Sequence, residues 1–84
     1  MNKTHATINN YGACFLKGIG VSIDFEKAKE IFEIGVNKND AVSMYHLAFI
    51  LSKTNPNESL YYYKKSAELG YYHARKIIPF LDEN

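Results

Sequence analysis

One cysteine, two prolines, five glycines and no apolar run of membrane-spanning length set the first limits on this 84-residue chain. Cys14 has no second cysteine to pair with, so no internal disulfide can staple the fold, which fits a reducing compartment and a cytoplasmic location. Every apolar stretch falls far short of the roughly 20 residues a membrane helix needs. The opening Met1-Asn2-Lys3-Thr4-His5 leads into no signal-peptide apolar region, so neither a membrane nor a secretion route is expected. Glycine and proline are too few for a collagen-like or linker-like chain. Charge of one sign is missing as well: ten Lys plus Arg against nine Asp plus Glu leave +1. That balance removes the strongest electrostatic argument for nucleic acid or anionic lipid as a partner.

What is present is enough apolar residue, 46% of the chain, to form one packed core. At this length folding buries only roughly 60–65% of the surface the open chain exposes, so the core works with little margin. The chain also repeats itself. Shifted by 36 residues, Tyr11-Gly12-x-x-Phe15 falls on Leu47-Ala48-x-x-Leu51; shifted by 31, Lys27-Ala28-x-x-Ile31-Phe32 falls on Glu58-Ser59-x-x-Tyr62-Tyr63, Asn39 on Gly70 and Ser43 on Ala74. The shorter second shift places a deletion in the inner loop of the second copy, where loops absorb it cheaply. A period of this size describes a stack of supersecondary units, each needing its neighbour to cover an apolar side.

The units read as helix pairs. Ile8, Tyr11, Gly12 and Phe15 share the spacing of one helix face, as do Ala28, Ile31, Phe32 and Gly35, and Met44, Leu47, Ala48 and Leu51. No stretch alternates like a strand. Gly18-Ile19-Gly20 ends the first helix, because glycine readily takes the left-handed conformation needed there. Asp24 caps the second helix and Asp40 the third. Asn55-Pro56-Asn57-Glu58 opens the fourth, with Glu58 where a capping box places it, and Gly70 stops it. A fifth segment, roughly Tyr72 to Phe80, is expected to fray or kink: Pro79 disfavours helix at Ile78, and Asp82 and Glu83 oppose the helix dipole. Small residues at Gly12, Ala28, Ala48, Ser59 and Ala67 would let helix axes approach, with Phe15, Phe32, Leu51 and Tyr63 filling the space between.

The run Tyr11-Gly12-x-x-Phe15-x-x-Gly18-x-Gly20-Val21-x-x-Asp24-x-x-Lys27-Ala28-x-x-Ile31-Phe32 resembles the Sel1-like repeat, a relative of the tetratricopeptide repeat. Tyr62-Tyr63-x-Lys65-Ser66-Ala67-x-x-Gly70 is similar to the other end of the same pattern. The second copy departs from it at Ala48, where the family favours glycine, and in lacking Gly-x-Gly between Leu51 and Glu58; Pro79 stands where a third copy would have glycine. The resemblance implies an all-α fold, a short right-handed superhelix of two helix hairpins plus a C-terminal capping helix, about five helices in all. It spans residues 1–84 as a single domain, with repeat one at about 5–39, repeat two at about 40–70, and a partial third repeat or cap at about 71–84. Two copies and a part are short for a solenoid, which leaves pairing of two chains as a homodimer, or a bound partner, to complete the core.

The resemblance further implies a non-catalytic protein-protein interaction module whose concave side is lined by the first helix of each pair. Beside the packed stripe, those helices carry Asn9, Ala13 and Leu16 in the first unit, Tyr45, Phe49 and Ser52 in the second, and His73, Lys76 and Phe80 in the cap. The candidate partner-binding residues are therefore Asn9, Leu16, Tyr45, Phe49, Ser52, His73 and Lys76. Tyr45 suits a wet interface through its hydroxyl, whereas Phe49 divides between core and contact. Starting at its own Met and holding barely two units, the chain is expected to act on one protein partner, as a small adaptor or as a stoichiometric inhibitor of immunity or antagonist type.

Other chemistry finds little support. Gly18-Ile19-Gly20-Val21 is no phosphate cradle, because Asp24 occupies the helix donors and repels an anion. His5, His46 and His73 lack a second ligand at helical spacing, so no metal and no other cofactor is expected. Cys14 has no basic neighbour in sequence to activate it, which ranks a thiol enzyme last. Glu26, Glu30 and Glu33 form a solvated face paired with lysines. Tyr61-Tyr62-Tyr63-Lys64-Lys65 mixes rings and charge, yet successive helix residues point about 100° apart and make no stacking platform. A nucleic-acid or anionic-ligand binder using Lys17, Lys53, Lys64, Lys65 and Lys76 is the alternative, disfavoured by the near-neutral total.

Overall fold

The computed structural model describes residues 3–81. Five helices follow one another: α1 (Lys3–Lys17), α2 (Phe25–Asn37), α3 (Ala41–Leu51), α4 (Pro56–Glu68) and α5 (Tyr72–Leu81). There is no strand among the described residues, and Asp82 and Glu83 lie outside them. Sequential helices pack on each other, and α1 also touches α3, so α3 stands at the centre of the stack. That position explains why α3 is apolar on more than one face.

Local signals set the helix ends. Asp24 accepts the Lys27 N–H at 3.0 Å, Asp40 that of Ser43 at 2.9 Å and Asn55 that of Glu58 at 3.3 Å, each satisfying a donor the first turn leaves open. The capping box at α4 is half-formed: the Asn55 N–H donates to the Leu51 carbonyl at 2.8 Å, committing it to the preceding turn. Gly18, Gly70 and Asn39 all take positive φ at helix C-termini, 74°, 99° and 62°. Asn39 and Gly70 are counterparts in the two copies, so the left-handed stop is kept although the residue type changes. Helix α5 departs from expectation by running on through Pro79 to Leu81. Pro79 has no N–H to donate to the carbonyl of Arg75, and Arg75 is an exposed residue, so the missing bond does not fall in the core.

The core is built from Ala28, Phe32, Leu47 and Leu51, with Phe15, Leu16, Val36, Ile50 and Tyr62 packed around it. Its closeness depends on missing side chains. A Cβ on Gly12 would stand 2.6 Å from the Phe32 ring, and one on Gly35 would collide with Ser43. Hydroxyls replace bulk in the same way where α4 meets α3: Ser59 Oγ donates to the Ala48 carbonyl and Ser66 Oγ to that of Ala41, both at 2.7 Å.

Asn9 is a correction to the candidate stripe. It is 6% exposed; its Nδ2 donates to Asp40 Oδ2 at 2.8 Å and its Oδ1 lies 2.9 Å from Ser43 Oγ. Ser43 Oγ is also 2.8 Å from Asp40 Oδ2, and His5 Nδ1 is 3.2 Å from Asp40 Oδ1. This buried knot ties α1 to the first turn of α3. Asn9 is thus committed to internal hydrogen bonds, since a buried amide left without partners would be costly, and it is not available to a partner.

Candidate functional site

The remaining stripe residues fall into two groups. The first gathers around Tyr45, half-buried on α3. Its ring centroid lies 5.4 Å from that of Tyr63 on α4, 5.2 Å from Tyr71 and 6.4 Å from His73 on α5. His73 in turn meets Tyr71 at 5.4 Å and Tyr72 at 5.6 Å, and Lys76 Nζ sits 5.2 Å from the Tyr72 ring centroid. Most of these ring pairs are edge-to-face, the arrangement the aromatic quadrupole favours. Tyr45, His73 and Lys76 therefore belong to one aromatic shelf. Tyr71 and Tyr72, overlooked in the stripe count, complete it; their signal was the aromatic pair just after Gly70, at the entry to α5. Burial, followed by the neighbouring Tyr45, pushes the phenols of Tyr63 and Tyr71 above their ordinary range.

The second group surrounds Phe49, which is 56% exposed. With Leu16 and Ser52 it lines a groove of about 380 Å³ whose walls also include Phe25, Lys29 and Lys53. Ser52 Oγ is already donating to the Phe49 carbonyl at 2.8 Å, so its part is to finish the helix end. Phe25, 55% exposed, was missed by counting along first helices because it opens α2. Its signal was the cluster of apolar residues Ile19, Val21 and Ile23 in the inner loop just ahead of it, all of them exposed as Phe25 is. Phe49 is the more open of the two central aromatics; Tyr45 is largely engaged by its neighbours.

His46 joins the shelf to the core. Its ring stacks on Phe32 at 4.8 Å and 26° and meets Tyr45 edge-on at 5.8 Å. Burial, reinforced by Lys17 and opposed by Asp40, lowers its pKa from 6.5. A histidine depressed in the folded state favours folding fully above its unfolded pKa, and that contribution is lost as pH falls through the folded value, because the open chain takes up the proton first. Thermal melts followed from pH 7 downward are expected to show a falling midpoint just below 6.5 that His46→Phe flattens. An identical slope in wild type and variant would assign the effect elsewhere.

Among the described residues no three His, Cys, Asp or Glu side chains converge as for a metal ion. Cys14 is a half-buried free thiol, and no described helix is long and apolar enough to cross a membrane.

Comparison with known proteins agrees with the repeat read from the residues. The Sel1 repeat family model matches twice, at residues 6–40 and 41–71. A sel1-like repeat-containing protein of Acanthamoeba polyphaga mimivirus is 34% identical over 65 residues, which is 76% of this chain and 12% of that relative. The chain thus spans a small fraction of the relative's length. No solved structure gives a significant match.

Proposed function

Because this chain belongs to the Sel1 repeat family, we propose that it is a non-catalytic module that grips another protein with the face formed by the first helices of its hairpins. Sel1 repeats in general bind other proteins and in general carry no catalysis of their own. The observation that carries the reading here is Phe49, 56% exposed on α3 at the mouth of the groove it shares with Leu16 and Phe25. Exposed rings beside a concavity are the usual anchors of protein interfaces. The aromatic shelf of Tyr45, Tyr72 and His73, with Lys76 over it, supplies a second, more polar contact. The two bear on one partner as anchor and rim.

As an adaptor or a stoichiometric inhibitor, the module acts by occupancy alone. We read it as one repeat domain, with repeat one at about 5–39, repeat two at about 40–70 and a partial third from 71. The free Cys14 supports a reducing, cytoplasmic setting, and the near-neutral charge supports a protein partner over nucleic acid. Phe49→Asp with Lys76→Glu changes two exposed residues and should leave the fold intact while reducing capture of partner from native lysate at least about tenfold, the scale of one lost hot spot. Quantitative capture equal to wild type would place the binding face elsewhere.

A further inference from the structure

The two hairpins agree in their core and differ at the seam between them. Ala28 and Ser59, and Phe32 and Tyr63, are buried at equivalent places. Outside the core the match fails at positions that meet in one groove. Shifting by 36 residues sets Phe49 against Ala13, and shifting by 31 sets Phe25 against Pro56, each the residue after an N-cap. Neither phenylalanine is therefore something a hairpin of this kind needs. Both are more than half exposed, both line the groove of about 380 Å³, and among the described residues neither ring meets another aromatic ring. This is not the exposure of an end face of the stack. Phe49 stands on the central helix, with α1 and α2 before it and α4 and α5 after it, and is still 56% exposed. Pro56 has the first hairpin ahead of it and is open too, so the place Phe25 holds stays accessible when a hairpin precedes it.

We propose that this groove takes one bulky apolar side chain of an acidic segment of another protein, held by Phe25 and Phe49 while carboxylates beside it in that segment meet Lys29 and Lys53. The proposal rests on the reading of the Phe49 face as the contact surface and names the chemistry of its partner. Volume sets the anchor. The groove lies near the lower end of the roughly 300–1,000 Å³ of ligand-sized concavities, room for a single large side chain rather than for the row of anchors on a helix face. Charge sets the flanks. The polar wall holds Lys29 and Lys53 against Glu26, and among the described residues neither lysine makes an ion pair, so carboxylates are complementary to it. Val21 and Ile23, exposed just ahead of Phe25, extend the apolar surface past the groove, which favours a polypeptide over a small anion such as a nucleotide.

The chain has no tryptophan, so a blocked heptapeptide with a central tryptophan between two glutamates reports its own burial by fluorescence when the full chain is titrated into it. A saturable blue shift is expected, with amide chemical shifts gathered on Leu16, Phe25, Phe49 and Lys53. Phe25→Ala or Phe49→Ala should weaken binding about tenfold, the scale of one lost hot spot. Lys29→Glu with Lys53→Glu should weaken it about fivefold at low salt, the scale of exposed charge pairs, and should bind a lysine-flanked peptide better than wild type does. Lys38→Glu, the same change of charge at the far end of α2, should alter neither. No saturation at millimolar concentration, shifts centred on Tyr45 or Tyr72, or equal affinity for glutamate-flanked and lysine-flanked peptides would overturn the proposal. So would adenosine monophosphate binding at the groove as tightly as the peptide, or a dimer in solution that Phe49→Ala dissolves, since a nucleotide or a second copy would then be the occupant. These outcomes differ from failure of the contact face itself, which shows as lysate capture untouched by Phe49→Asp with Lys76→Glu.

Discussion

Urea denaturation of Asp40→Ala is expected to show a loss of about 3–5 kcal/mol, the range for removing one partner from a buried charged network. The alanine takes away an N-cap, worth about 1 kcal/mol. It also leaves the buried Asn9 Nδ2 without its acceptor, while the Ser43 hydroxyl keeps only Asn9 Oδ1, and a stranded buried donor costs about 1–3 kcal/mol. A domain of this size has roughly 4–13 kcal/mol in all, so the variant approaches its folding limit. Acid has a related effect. Burial pushes the Asp40 carboxyl up, but hydrogen bonds from Asn9 and Ser43 and the charge of His5 outweigh it and hold the pKa below 3.8. A carboxylate depressed on folding stabilises fully above its unfolded pKa, and this is lost as pH falls through the folded value. Acid unfolding below pH 3.8 should therefore be less steep in Asp40→Asn than in wild type. An Asp40→Ala midpoint within experimental error of wild type would mean that α1 and α3 are held together by apolar contact alone.

Phe32→Ala should be equally damaging, at about 3–5 kcal/mol, from lost burial and from the cavity left behind. The ring is fully buried, belongs to the core cluster with Ala28, Leu47 and Leu51 and lies under His46, so its removal opens a void in the middle of the packed helices. The same ring accounts for Gly12, because a Cβ there would stand 2.6 Å from its Cζ. Gly12→Leu is expected to unfold the chain by overpacking. Gly12→Ala with Phe32→Leu should cost less than the two single changes added together, because the smaller side chain withdraws from the space the methyl needs. Strict additivity, measured by denaturant midpoints, would show that the two residues do not compete for that space.

Most of the fold was legible because its signals are local. Asp24, Asp40 and Asn55 cap helices through side chains reaching three residues ahead, and Gly18 and Gly70 stop them by their own backbone freedom. The repeat then placed the helices in pairs, since Ala28 and Ser59, or Phe32 and Tyr63, occupy equivalent buried places in both copies. What failed was non-local. Asn9 has the helical phase of a surface residue, and nothing near it in sequence announces that Asp40, 31 positions away, will bury it. Tyr11 and Leu47 are counterparts, yet one is 53% exposed and the other 2%, because among the described residues Leu47 has an earlier hairpin to lie against and Tyr11 has none. Phe25 and Tyr71 escaped for another reason: they sit at helix entrances, where counting around a cylinder does not apply. Ser59 read as a small spacer, and it and Ser66 prove to be donors to the backbone of α3.

The inner connections of the two hairpins are unequal. Between α1 and α2 the chain makes a wide bend, fastened by the Asp24 N–H to the Phe15 carbonyl, that carries Ile19, Val21 and Ile23 in the open; between α3 and α4 it turns back tightly through Ser52, Lys53 and Thr54, which are all polar. The rim of the molecule is greasy at one hairpin and wet at the other. An extended polypeptide laid across it would find its two directions energetically distinct, so this asymmetry gives a nearly two-fold repeated scaffold a way to tell head from tail in whatever it holds.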